Sequence, residues 1–137
     1  MNRIELQRLS KMRLKEAKLL LANGFPSGAY YLAGYAIECA LKACIAKNSR
    51  RHDFPDKKFV VRSHTHDLKD LVKLVKIEPL LEQEVQQEPK VGISWELVRK
   101  WSEGSRYRTY SEQDAQELLD AVANKKYGIM PWITRHW

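Results

Sequence analysis

The stretch Ala29-Tyr-Tyr-Leu-Ala-Gly-Tyr-Ala-Ile-Glu-Cys-Ala-Leu-Lys-Ala43 decides how this chain folds. Ala29, Ala33, Ala36, Ile37, Ala40 and Leu41 recur at three- and four-residue steps, and Cys44 and Ile45 extend the stripe. That spacing is one face of an α-helix. The other side carries Tyr30, Tyr31, Gly34, Tyr35, Glu38 and Lys42. Small residues let neighbouring helices approach closely, which predicts a central bundle helix. A helix this apolar is expected to be buried on more than one side, within its own core and against a second subunit. Glu38 then needs a partner inside, because an unpaired buried charge is costly. Arg106 is a candidate, and Lys42, four residues on, offers a helical salt bridge.

Upstream, Ile4, Leu6, Leu9, Leu14, Ala17, Leu20 and Leu21 form an amphipathic helix from about Asn2 to Asn23, with Arg3, Arg8, Lys11, Lys15 and Lys18 opposite. Gly24 suits the left-handed position that ends helices, and Pro26 blocks continuation. The second helix runs from Pro26-Ser27 to about Asn48. Residues 49–66 are polar and basic, contain Pro55 and read as a long loop. Asp67 or Thr65 caps a third helix through Leu68, Leu71, Val72, Leu74 and Val75. Pro79 opens a short helix through Leu80, Leu81 and Val85, and a weaker one from Ser94 holds Trp95, Leu97, Val98 and Trp101. Arg106–Tyr110 reads as a connector. Ser111 with Asp114 starts a last helix bearing Ala115, Leu118, Leu119 and Val122. The aromatic tail from Tyr127 to Trp132 is expected to fold back on the bundle. There is no strand alternation, repeat or low-complexity segment. The predicted fold is all-α: an antiparallel up-and-down bundle of four main helices plus short extra helices, as one domain over residues 1–137.

The totals agree with one self-supporting core. The chain has 137 residues, 44% hydrophobic and 30% charged. Its formal charge of +7, from 24 Lys and Arg against 17 Asp and Glu, favours polyanionic partners through counterion release. Cys39 and Cys44 lie on different sides of one helix, which disfavours a bridge or a shared metal and fits a reducing compartment. The amino terminus lacks the apolar run of a signal peptide, and no segment approaches the roughly 20 apolar residues of a membrane span. A cytoplasmic protein without membrane contact is the expectation.

Candidate chemistry falls in two places. His64, His66 and Asp67 form the densest polar cluster. One histidine could move protons near neutral pH; equally, Asp67 and the histidines could cap the third helix. A metal there lacks a further ligand, so neither metal nor cofactor is implied. Arg106 and Arg108 bracket Tyr107, a forked phosphate donor on each side of a ring that can stack on a base. The alternative is an Arg–carboxylate pair between helices, with Tyr107 in the core. Arg50, Arg51, Lys57, Lys58 and Arg62 make the loop beside the histidines the preferred anion-contact region. Trp95 and Trp101 read as core cover.

Three segments carry a family resemblance. Glu38-Cys-Ala-Leu-Lys-Ala43 resembles the end of the second helix of HEPN domains. His64-Thr-His-Asp-Leu68 is similar to the segment opening their third helix. Arg106-Tyr107, followed by Tyr110 and an Ala-containing helix, is similar to the element before their last. In order, the segments cover about residues 10–132. The resemblance implies a helical bundle, commonly homodimeric, often accompanying a minimal nucleotidyltransferase in two-gene toxin–antitoxin modules. Other members are metal-independent ribonucleases using an Arg and a His separated by four to six residues. His52, His64, His66 and His136 have no Arg at that distance before them, so the strict nuclease signature is missing.

The resulting expectation is a dimeric HEPN subunit contacting RNA or nucleotide, with a nucleotidyltransferase partner. The alternatives are a ribonuclease toxin using His64 or His66 with Arg106 or Arg108, and a structural adaptor.

Overall fold

The computed structural model describes residues 1–48 and 61–137. Of the described residues 77% are helical, and none lies in a strand. Helix α1 (Arg3–Ala22) starts on a reciprocal cap: Asn2 accepts from the Glu5 amide at 2.9 Å, and Glu5 accepts from the Asn2 amide at 2.9 Å. It ends where Gly24 adopts a φ of 83°, the left-handed region open to glycine. Helix α2 (Pro26–Asn48) then runs back along α1, with which it makes the largest helix–helix contact of the fold.

The expected third leg of the bundle is broken into pieces. Helix α3 (Leu68–Leu74) is only seven residues long, and Asp67 caps it by accepting from the amides of Lys69 and Asp70. Lys76 then turns left-handed at a φ of 61°. Helices α4 (Glu78–Gln87) and α5 (Pro89–Val98) follow, each with a proline in its first turn. Proline lacks the amide that a helix interior needs but fits the first turn, where that amide is spare. The helix expected from Ser94 therefore begins at Pro89. The presumed coil also differs from expectation at its end, since residues 61–63 form a helical turn. Its remainder, 49–60, including Arg50, Arg51, Lys57 and Lys58, lies outside the described residues.

A 3-10 turn (Glu103–Tyr107) leads to α6 (Glu112–Ala123), which packs on α1, α2 and α5. Ser111 and Asp114 form the expected reciprocal cap. The tail folds back as α7 (Ile129–Thr134), burying Ile129, Met130, Trp132 and Ile133. Ser10, buried on α1, donates to the Ala36 carbonyl at 2.7 Å and lies against the Met130 sulfur.

The small residues of α2 are consumed inside one copy. Ala29, Ala33, Ala36 and Ala40 are all within 1% of fully buried in the monomer. The subunit contact expected at this stripe is therefore overturned: internal packing against α1 and α6 accounts for its composition. Gly34 has a different use. A Cβ there would fall 2.2 Å from the Trp101 ring, so the indole lies directly on the helix backbone.

Two outcomes follow from this core. Gly34→Ala displaces Trp101 and should lower the unfolding free energy by about 1–3 kcal/mol in urea titrations; an unchanged midpoint would refute the close approach. Burial, with Glu38 adding to it at Cys39, pushes both thiols up to about 11. The thiolate is the reactive form, so a disulfide reagent at pH 8 should label neither Cys39 nor Cys44 until denaturant is added.

Candidate functional site

Glu38 is an acidic residue at the centre of an apolar helix, and its side chain is 1% exposed. A carboxylate in that position has to be met by donors. Two converge on one of its oxygens. Lys42, one turn along α2, places its ammonium 3.1 Å from Oε1. His66, just before α3, places Nδ1 on the same oxygen. An ionised carboxylate only accepts, so Nδ1 carries the proton and donates. The other ring nitrogen, Nε2, is 3.3 Å from Oε2 of Glu103 on the 3-10 turn. His66 thus links three separate segments of the chain. Its side chain is 46% exposed and that of Glu103 is 47% exposed, so the contact reaches from the core to the surface.

This geometry revises two readings. The partner of Glu38 is His66 with Lys42, not Arg106. Asp67 alone caps α3, with Thr65 Oγ1 accepting from the Asp67 amide at 3.1 Å, while the His66 ring turns inward to Glu38. His64 is exposed, and its backbone amide bonds the Val61 carbonyl at 3.2 Å. Both nitrogens of His66 are committed to carboxylates. Among the described residues, no group of three or more His, Cys, Asp or Glu could hold a metal ion.

The connector from Trp101 to Tyr110 is pinned at three points. Trp101 lies on Gly34, with Tyr31 stacked against it at a ring separation of 6.0 Å. Glu103 meets His66. Tyr110 stacks on Tyr30, centroids 3.6 Å apart and planes 9° from parallel, and its amide donates to Ser27 Oγ at 2.9 Å. Burial raises the Tyr30 phenol above its usual range, with Tyr110 and Asp114 adding to the rise and Arg108 opposing it.

Between these anchors, Arg106, Tyr107 and Arg108 are held outward. Tyr107 is 80% exposed, so it does not fill the core. The Arg106 guanidinium lies over its ring, 4.8 Å from the centroid, a cation–π contact that leaves the donor fork free. Arg62 is exposed on the turn that leads to the histidines. His66 thus meets the connector through Glu103, with Arg62 and His64 exposed just before it and Arg106, Tyr107 and Arg108 exposed just after Glu103. Sequence reasoning missed Glu103: nothing in its spacing marks an acid that meets a histidine from another segment.

Removing His66 leaves Glu38 with Lys42 alone. His66→Ala should lower stability by about 1–2 kcal/mol, a figure moderated by the solvent that reaches the ring, whereas Glu103→Ala should cost less than about 0.5 kcal/mol. Equal losses for the two variants in urea unfolding would contradict this hierarchy.

Compared with protein-family models, the chain matches that of the HEPN domain over residues 5–125. Comparisons with curated proteins and with solved structures give no match.

Proposed function

Because the chain belongs to the HEPN domain family, we propose that it acts as a subunit that contacts RNA or a nucleotide through the outward Arg106-Tyr107-Arg108 segment. One observation carries the reading: two arginines and an exposed tyrosine ring are presented between pinned ends, with their donors turned to solvent. A guanidinium fork suits phosphate and an exposed ring suits a base. Arg62 and His64, exposed shortly before His66, are added to this reading. Arg50, Arg51, Lys57 and Lys58 belong to this reading by sequence, and the net charge of +7 agrees with it.

The proposal includes a homodimer in the cytoplasm, within a two-gene toxin–antitoxin or defence-type module whose second product is a minimal nucleotidyltransferase. Since the α2 alanines are used inside one copy, the contact between copies draws on other surface. No helix among the described residues is long and apolar enough to cross a membrane.

The test is binding of a fluorescent single-stranded RNA, followed by anisotropy at several salt concentrations. Arg106→Ala with Arg108→Ala should weaken binding at least about tenfold and flatten the log–log salt slope by about one per lost phosphate contact. Unchanged affinity and slope would remove the connector from the interface.

A second reading, a metal-independent ribonuclease, has its own support. Glu38 holds His66 by Nδ1 and leaves Nε2 facing the surface, opposed only by the exposed Glu103 side chain. If Glu103 moves away and the Nε2 proton passes to solvent, the neutral ring can take the proton of a ribose 2′-hydroxyl at Nε2. The 2′-oxygen then bonds phosphorus, the bond to the 5′-oxygen breaks, and His64 protonates the departing oxygen, leaving a cyclic phosphate. Arg106 or Arg108 would steady the phosphate. Arg62 precedes His66 with three residues between them, one short of the family's nuclease spacing. This reading predicts RNA cleavage in the presence of chelator, abolished by His66→Gln; intact RNA after prolonged incubation rules it out.

A further inference from the structure

The connector that carries Arg106, Tyr107 and Arg108 is closed over buried polar atoms that nothing satisfies. Among the described residues, two buried side-chain polar atoms have no hydrogen-bond partner: Nε1 of Trp101 and Oγ of Ser105. Both belong to the connector, and the two residues are 3% and 1% exposed. Water would satisfy each atom, so burial without a partner favours a segment that lifts. The backbone of the segment is a 3-10 turn (Glu103–Tyr107), whose hydrogen bonds are poorer than those of an α-helix. Its local structure therefore does little to oppose opening.

The middle of the connector is held down by the contact of Glu103 with His66. Nε2 lies 3.3 Å from Oε2 of Glu103, whereas Nδ1 is spent on Glu38. Each carboxylate only accepts, so both contacts are hydrogen bonds only while the ring is the imidazolium. The two nitrogens are not equivalent when that charge is lost. Glu38 is 1% exposed and needs its donor, so the remaining proton stays on Nδ1. Nε2 then turns a lone pair towards the Glu103 carboxylate, and attraction gives way to repulsion. The neighbouring charges leave this choice unchanged: Lys42 also donates to Glu38 from α2, and Asp67 accepts from the amides of Lys69 and Asp70.

We propose that His66 and Glu103 form a proton-dependent latch on the connector, closed while the ring is charged and open once Nε2 has lost its proton. Opening is bounded. Trp101 is seated on Gly34 at one end and Tyr110 is stacked on Tyr30 at the other. The 3-10 turn lifts between these fixed ends, and water reaches Ser105 and the indole nitrogen of Trp101. A pair this exposed shifts an equilibrium by only a few-fold, which suffices because the two unmet atoms already favour the open form. In the function proposed above, the latch sets whether Arg106, Tyr107 and Arg108 are presented on a fixed or a freed segment. The latch is a property of the chain alone and its test uses no RNA, so it stands or falls separately from RNA contact.

Hydrogen exchange of the full chain, followed by NMR and corrected for intrinsic rates, tests the latch from about pH 5.5 to 8.5, an interval that spans the ordinary histidine range. The amides of Ser105 and Arg108 bond the carbonyls of Ser102 and Ser105, each at 3.0 Å. These amides and the Trp101 indole N–H should lose protection together, by about two- to fivefold, as pH rises. Protection of the Tyr110 amide, outside the moving turn, should stay constant. In Glu103→Gln the side-chain amide offers an acceptor to the charged ring and a donor to the neutral one, so the pH dependence should vanish. His64→Gln should leave it in place. Constant protection in the unsubstituted chain overturns the proposal, and so does a pH dependence that survives Glu103→Gln or disappears in His64→Gln.

Discussion

One carboxylate sets the terms for this fold. Glu38 lies in the middle of α2, among side chains that are almost all excluded from water. Helix geometry alone can supply it with Lys42, but a single lysine whose head is partly in solvent does not satisfy a carboxylate that is 1% exposed. The second donor has to come from another part of the chain. His66 supplies it, and doing so fixes the approach to α3 next to the centre of α2. Asp67, the next residue, can then cap α3. A buried charge thus acts as a registration mark: it specifies which segment crosses the bundle at that height.

The same tie extends to the surface through Glu103, and the connector depends on it. Gly34 admits the Trp101 ring to the backbone of α2, and Tyr110 closes on Tyr30, one turn nearer the start of that helix. Between these contacts Arg106, Tyr107 and Arg108 stand in solvent. Packing and presentation are two sides of one arrangement. The anchors that satisfy the core determine which donors stand in solvent, and a segment held at both ends would lose less entropy on binding than a free loop.

Much of the scaffold could be read in the sequence because its signals are local. Gly24 with Pro26 marks the first turn of the bundle, Asp67 a helix start, and Ser111 with Asp114 the reciprocal cap of α6. Each depends on residues within one turn of one another. Pro89 carried the same kind of signal for α5, as a first-turn proline, and the apolar pattern around Trp95 masked it. The partner of Glu38 was hidden for a different reason: Arg106 and His66 are equally remote along the chain, and only the packed fold decides between them. The alanine stripe was ambiguous in the same way, since small residues invite a close helix without saying whether it belongs to the same copy. Gly34 could be read as small but not as the seat of Trp101. The candidate site was legible as a set of residue types, His64, His66, Arg106 and Arg108, whereas the contact of His66 with Glu103 was not.

The central claim is that Glu38 and His66 form one energetic unit and are not two independent polar residues. A double-mutant cycle with Glu38→Leu and His66→Ala, read by urea unfolding of each variant, measures that coupling directly. The leucine removes the buried charge that His66 serves, so the second substitution should cost much less in that background, with a coupling energy of at least about 1 kcal/mol. Losses that add to within about 0.3–0.5 kcal/mol would show that the two residues act separately, and would contradict the account.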